Sequence, residues 1–489
     1  MIVLVIALVA VGAGLIVLLV RRSSPMAAQL IGLGATALVA VLAIGIDPAD
    51  TTEVAGMAVA PSAMLRLVAT VWSGSLLLLA ILELAIGGRA VIAGPALVGL
   101  GAVVLGLGVP DPGTAFAAFA AGSVPAVLFP GVSAWVGRES EPERLTTLRR
   151  AAGAVIAATV VAIVVVAWGS SPVGPLGSGE PLTTEDPDRA IALGLALLAV
   201  AAAVIVRAGL IPAHLWAARF MEGVSSLAVP AALSWPTAAF ALVALGWGQV
   251  AIGSPTATAW LEHGLIALAA VASIAFGGLA AILHEDIEHV LGYSIVQDAG
   301  IALLAFASLR PESTEAARNW LIASAAVKTA LAGWVAATRW TFGAHRLPDL
   351  RGWARRSPAL AVALVAITFA AVGLPGMAAF DARASLAFEA VPGGLGGLVL
   401  LASFSSILYY GRLLAVGFRN MGGLVANAPS PSPRWVGSRP TGWSSRSVVL
   451  VVQDVPALVD ANRAPIVATI TIALAAIGFV IAATGVGPA

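Results

Sequence analysis

A single lysine, Lys328, stands among the 26 basic residues of the chain, inside an apolar stretch long enough to cross a membrane; every other basic residue is arginine. The distinction is chemical. Desolvation can draw a lysine's pKa from about 10.4 toward neutrality, whereas a guanidinium keeps its proton. Lys328 lies midway between Arg318 and Arg339 along its helix, too deep to snorkel to either surface. An ionisable group so placed points to an ion or proton path. A few further residues have useful chemistry. Arg207 and His214 flank Pro212, and a histidine can relay protons near pH 7. Asp298 follows Tyr293 and Gln297, which are four apart and share a helix face. Asp381 and Arg383 follow Gly373, Pro375 and Gly376; a spacing of two puts them on different sides of a helix, so they are not expected to pair.

The elements that must carry these groups are membrane helices. The chain has 489 residues, 60% hydrophobic and 10% charged, with a mean hydropathy of +0.99, and apolar runs of the roughly 20 residues a span needs recur throughout. No soluble domain fits between them. The lack of cysteine excludes disulfides and thiolate-held clusters. Five histidines, four of them in or beside loops, argue against a haem or metal centre, and the lone lysine sits in no phosphate-binding loop. No cofactor and no nucleic acid is expected; any redox centres belong to separate chains. Met1 to Val20 has no basic leader and no cleavage site, so it reads as a retained first helix.

The pattern predicts an all-α polytopic protein of about fourteen transmembrane helices, near 1–20, 26–46, 63–87, 90–108, 114–136, 150–168, 188–217, 227–250, 259–283, 288–308, 318–339, 358–388, 393–418 and 464–485. Loops after odd-numbered helices hold the arginines (Arg21, Arg22, Arg89, Arg149, Arg150, Arg219, Arg346, Arg351), and loops after even-numbered ones hold mainly acids (Asp47, Asp50, Asp111, Glu185). The positive-inside bias then puts odd loops in the cytoplasm and both termini outside, with a bacterial inner membrane as the expected location. The long segment 419–463, rich in Pro, Ser and Arg, is expected to be a cytoplasmic loop that meets a partner or lipid headgroups. Glu83 is expected to pair with Arg89, and His284, Glu285, Asp286, Glu288 and His289 to form a solvated cytoplasmic face.

Helices seven and twelve are interrupted at Pro212 and at Gly373-Leu-Pro375-Gly376. Proline removes a backbone donor and frees carbonyls for ions or water. Breaks five helices apart predict two five-helix repeats, inverted because five is odd: helices 4–8 over 90–250 and helices 9–13 over 259–418. An N-terminal region, 1–108, precedes and overlaps them, and 464–489 carries the last helix.

Four segments resemble the antiporter-like membrane subunits of complex I, which are related to multisubunit cation/proton antiporters and membrane-bound hydrogenases. Arg207-Ala-Gly-Leu-Ile-Pro-Ala-His-Leu-Trp with Glu222-Gly223 is similar to the family's Lys-x4-Pro-x-His-x-Trp signature. Leu291-Gly-Tyr-Ser-Ile-Val-Gln-Asp298-Ala-Gly resembles its Leu-Ala-Tyr-Ser-Ser-Ile-x-His-x-Gly segment, and Val327-Lys328-Thr-Ala-Leu its Lys-Ala-Leu-Leu-Phe helix. Gly373-Leu-Pro-Gly with Phe380-x-x-Arg383 resembles Gly-Ile-Pro-Pro followed by Phe-x-x-Lys. The likeness runs over about 110–420, is strongest from 200 to 390, and leans to the N-type subunit.

The resemblance implies a chain of polar residues along the mid-membrane plane, other membrane subunits and phospholipid as partners, and a proton path through Lys328, Asp298, Arg383, Asp381, Arg207 and His214. It also exposes departures. No carboxylate occurs between Asp111 and Glu139, where the family's fifth helix has a glutamate. Arg207 stands for a lysine, and a second family lysine falls near Thr237. Arginine cannot exchange its proton, so the first repeat is not expected to conduct by the family mechanism. The second repeat retains Lys328, with Asp298 in place of a histidine and Arg383 in place of a lysine. The expected function is proton translocation, or its coupling, in a complex-I-related or hydrogenase-type assembly. A non-conducting scaffold subunit and a cation/proton antiporter subunit are the alternatives.

Overall fold

The computed structural model describes residues 1–54, 56–87, 91–128, 142–169, 171, 187–214, 216, 220, 224–252, 260–391, 393–419 and 455–486. Arg89, Arg219, Glu222, Gly223 and 420–454 of the expected loop therefore lie outside the described residues.

The protein is an all-α polytopic membrane protein. Its helices are α1 (Ile2–Val20), α2 (Pro25–Ile44), α3 (Ala63–Ala85), α4 (Ala93–Gly108), α5 (Pro112–Leu128), α6 (Pro142–Gly169), α7 (Pro187–Ala208), α8 (Trp235–Ala251), α9 (Trp260–Leu283), α10 (Ile287–Ser308) and α11 (Pro311–Phe342). They continue with α12 (Pro358–Val372), α13 (Ala378–Ala390), α14 (Gly394–Ser403), α15 (Ser406–Phe418) and α16 (Val455–Thr484). A small antiparallel hairpin, Thr52–Val54 with Met57–Val59, links α2 to α3. Among the described residues, eleven helical segments are long and apolar enough to cross a membrane. Backbone groups in lipid find no water, so helices that satisfy their own hydrogen bonds are the available solution.

Local chemistry sets several helix starts. Ser24 and Ser62 cap α2 and α3 by accepting from the N–H of Ala27 and Leu65, and Asp286 caps α10 by accepting from that of Glu288. Proline opens α2, α11 and α12, where no intrahelical donor is lost.

The decisive feature is which helices are inside. Along the apolar stretch of α11, 94% of residues are buried against the rest of the chain, and along α10, 89%. The stretch within α6 is only 22% buried and α2 only 28%, so these face outward. Close approach around α10 needs small residues: a Cβ on Gly277 of α9 would lie 2.6 Å from the backbone nitrogen of Gln297.

Both expected interruptions are present. After α7 the backbone turns at Gly209 (φ 63°) ahead of a cis Ile211–Pro212 bond. Helix twelve divides into α12 and α13 around Gly373 (φ 65°) and Gly376 (φ 90°). Two further irregularities lie within the spans expected at 227–250 and 393–418, which persist as single apolar segments, Ser226–Ala251 and Gly394–Phe418. A 3₁₀ turn, Ser226–Ala228, and a π-turn, Pro230–Ser234, lead into α8, and the thirteenth helix splits at Phe404-Ser405 into α14 and α15. The last helix begins at Val455, inside the segment expected to be loop, and α6 begins well before the expected 150.

Candidate functional site: a buried ion pair among broken helices

Lys328 comes from the middle of α11 and is 1% exposed. Its Nζ lies 2.9 Å from Oδ2 of Asp298 on α10 and donates to the hydroxyl of Tyr410 on α15 at 3.2 Å. The Tyr410 ring also lies below the ammonium, 5.7 Å from its centroid. Bringing two ions out of water costs several kcal/mol each, and a close pair with an extra hydrogen bond offsets much of that.

The pair is held by residues that read the irregular backbone. Gln297, beside Asp298, donates through Nε2 to the hydroxyl of Ser405 (2.7 Å) and the carbonyl of Ser403 (3.1 Å), the two sides of the α14–α15 break. Its Oε1 accepts from the hydroxyl of Tyr409 at 2.9 Å. Trp320 of α11 donates to the backbone carbonyl of Asp298 at 2.8 Å, which pins the turn carrying the carboxylate. Tyr409, Tyr410 and Ser405 were missed in the sequence. One signal was available: the chain has three tyrosines, and two of them bond directly to this cluster.

Arg383, on α13 just past the Gly373–Gly376 break, is also 1% exposed. Its Nη2 donates to the freed carbonyl of Ala371 at 2.5 Å, and its guanidinium stacks over Trp320 (4.6 Å) and Phe404 (5.1 Å). Nε and Nη1 are buried without a hydrogen-bond partner, and Asp298 is the carboxylate whose field reaches them. Asp381, by contrast, is exposed and takes no part in the cluster.

A cavity of about 30 Å³ adjoins the pair, bounded by Lys328, Asp298 and Ser324 on one side and by Ala208, Ser234 and Thr237 on the other. A single water needs roughly 10–15 Å³ and two or more polar partners. The Ser234 hydroxyl, at the end of the π-turn, is buried with no protein partner. The cavity therefore has room and chemistry for water between the end of α7 and Lys328.

His214 and Arg207 lie apart from this cluster. His214 packs its ring edge-on against Phe276 (4.5 Å), which in turn meets Tyr293 (5.8 Å). Tyr293 contacts His284 at 4.7 Å, and His284 stacks on His289 at 5.1 Å, at the loop end of α10. There Glu288 pairs with Arg339, and Arg346 pairs with Glu285 at 2.8 Å. The face expected to be solvated is a knit one, with Asp286 and Glu288 both partly buried. Burial pushes the Asp286 carboxyl up, but nearby His289 and the N–H of Glu288 more than offset that and hold it below its ordinary value. Glu83 accepts from the N–H of Ile92 at 3.0 Å and so ties α3 to the start of α4.

Arg207, at the end of α7, is 5% exposed and meets hydroxyls only, those of Thr159 and Ser123, each at 3.4 Å. No carboxylate pairs with it among the described residues.

Comparison with known proteins places this fold among relatives. Residues 182–408 match the family model described as NADH:quinone oxidoreductase/Mrp antiporter, TM. NADH-quinone oxidoreductase subunit N 1 of Streptomyces griseus is 32% identical over 326 residues, covering 65% of this chain and 66% of that protein. The first curated relatives are matched over roughly half to two thirds of their own length. A chain of respiratory complex I from Thermus thermophilus superposes with a TM-score of 0.66 at 18% identity, over 98% of this chain and 99% of that one. A chain of the Mrp complex from Dietzia sp. superposes with a TM-score of 0.62 at 18% identity, over 99% and 96%. With a family module that spans the buried Lys328–Asp298 pair and a fold shared along the whole length, the chain belongs to the NADH:quinone oxidoreductase/Mrp family of antiporter-like membrane subunits.

Proposed function

We propose that this chain is the N-type antiporter-like subunit of a complex-I-related membrane assembly, and that it moves protons through its second half, with Lys328 and Asp298 as the exchanging pair. The observation that carries this reading is the 2.9 Å contact between a fully buried amine and a carboxylate, with a second buried cation whose Nε and Nη1 have no hydrogen-bond partner. While Asp298 rests on Lys328, the ammonium is stabilised. If the carboxylate turns toward the unpartnered Nε and Nη1 of Arg383, Lys328 loses its counter-charge in a dry site and releases its proton to the adjoining cavity. Return of the carboxylate favours reprotonation. Arg383 acts as a fixed charge throughout, because a guanidinium does not exchange.

The aromatic and histidine run from His289 through Tyr293 toward His214, next to the Asp286 cap, is the proposed uptake side in the cytoplasm. The eleven long apolar segments, taken with α4, α5 and the α12–α13 pair, support fourteen spans, and the paired irregularities at helices seven and eight and at twelve and thirteen support two inverted repeats. Under this reading the chain sits in a bacterial inner membrane with both termini outside, beside other membrane subunits, while redox centres reside in separate chains.

The test is proton translocation by the whole assembly in inverted membrane vesicles. Lys328→Ala should assemble and lose most of the proton flux while electron transfer persists. Undiminished flux in that variant would make the subunit a scaffold. Transport that tracks sodium would instead make it part of a cation/proton antiporter, as the Mrp likeness allows.

A further inference from the structure

The cavity beside Arg207 is the larger of the two described, about 100 Å³ against about 30 Å³ at Lys328. Its walls come from α4, α5, α6, the end of α7 with the residues after it, and the start of α8, and include Phe119, Ser123, Val155, Trp216 and Phe220. The guanidinium lies at this wall between the rings of Phe119 (5.8 Å) and Phe240 (5.3 Å), with Nε buried and without a hydrogen-bond partner. A buried cation that cannot shed its proton requires an anion, and the described residues provide only two hydroxyls at 3.4 Å.

We propose that this cavity binds an amphiphilic oxyanion. Its carboxylate or phosphate head sits on Arg207; the hydroxyls of Ser123 and Thr159 already give their protons to the carbonyls of Phe119 and Val155, so the guanidinium is the donor. Its hydrocarbon chain lies along Phe119, Val155, Trp216 and Phe220. Guanidinium–oxyanion bonds are among the strongest hydrogen bonds available, and a bidentate fork suits either head. The route for a chain is on the same side: α6 lines the cavity and has the least buried of the eleven apolar stretches, so it faces away from the core of the chain. A free long-chain fatty acid and a membrane phospholipid share this chemistry.

Trp216 gives the site its own reporter. The full chain in its purified, delipidated assembly is titrated in detergent with 9,10-dibromostearate and, separately, with phosphatidylglycerol carrying brominated chains, and bromine quenching of tryptophan emission is followed. At least one probe should quench saturably, and the saturable part should vanish in Trp216→Phe. Arg207→Gln should shift half-saturation at least tenfold. Saturation by the stearate identifies the fatty acid as sufficient; saturation by the phospholipid alone identifies the lipid. The methyl ester of dibromostearate, which lacks the charge, should bind the unaltered protein at least tenfold more weakly, and this arm holds even if Arg207→Gln does not assemble. Equal affinity for acid and ester, or a saturable signal that survives in Trp216→Phe, would overturn the proposal.

Discussion

Lys328 and Arg207 are both buried cations near helix irregularities, yet their surroundings differ in kind. Around Lys328 the protein supplies a carboxylate, a phenol, an anchored amide and a small cavity. Around Arg207 it supplies two distant hydroxyls, aromatic faces and a larger cavity. The difference teaches that burial of charge is not enough for proton exchange. The cation must be able to lose its proton, and a movable counter-charge must make that loss reversible. The second half places an amine beside a carboxylate, whereas the described part of the first half places a guanidinium beside hydroxyls.

The strongest test of this contrast is removal of the exchanging amine. Lys328→Ala should cut proton flux in vesicles more than tenfold, read by a pH-sensitive dye during turnover. Breaking the pair from the other side should show most clearly in stability. Asp298→Asn leaves an uncompensated ammonium and should cost about 3–5 kcal/mol, measured by thermal unfolding of the purified assembly. Most of that loss should return in the Lys328→Met, Asp298→Asn double variant; strict additivity would mean the pair is not a coupled unit.

A gain-of-contact variant sharpens the comparison. Ser123→Asp places a carboxylate next to Arg207 and should stabilise the first half by about 1–2 kcal/mol without raising proton flux, because the cation still cannot exchange. An increase in flux would show that the missing counter-ion, and not the guanidinium, silences that half. Tyr410→Phe removes one hydrogen bond to Lys328, should cost about 1 kcal/mol, and should slow flux a few-fold.

The smallest effect is expected at the loop end of α10. Asp286→Ala removes a helix cap worth about 1 kcal/mol, visible as a lowered unfolding midpoint near neutral pH. The Asp286 carboxyl is held below its ordinary value, so its contribution is present above the usual carboxylate range and is lost as pH falls through the lowered value. The gap between variant and unaltered protein should therefore close in acid.

Much of the second-half site was legible beforehand. Lys328 stood out by type and depth, Asp298 by its place beside Gln297, and the α12–α13 break by Gly373-Leu-Pro-Gly376. The α14–α15 break was not legible, because Ser403-Phe404-Ser405 contains no proline or glycine and each residue is tolerated in a helix. Without that break, Tyr409 and Tyr410 read as ordinary apolar-helix aromatics. The π-turn before α8 escaped for a related reason: Pro230 opens it at a position where proline is also normal for a helix start. The spacing of two between Asp381 and Arg383 placed them on different sides of a helix, and α13 turns the first outward and the second into the core.

By itself the sequence determined that the chain lives in a membrane as helices, because apolar runs without water must satisfy their own backbone hydrogen bonds. It also determined which cation can exchange a proton, since that is a property of amine against guanidinium. Only the tertiary structure decided which groups meet that amine. Asp298, Tyr410 and Lys328 belong to three different helices, and their contact depends on how small-residue surfaces let α9, α10, α11 and α15 close on one another.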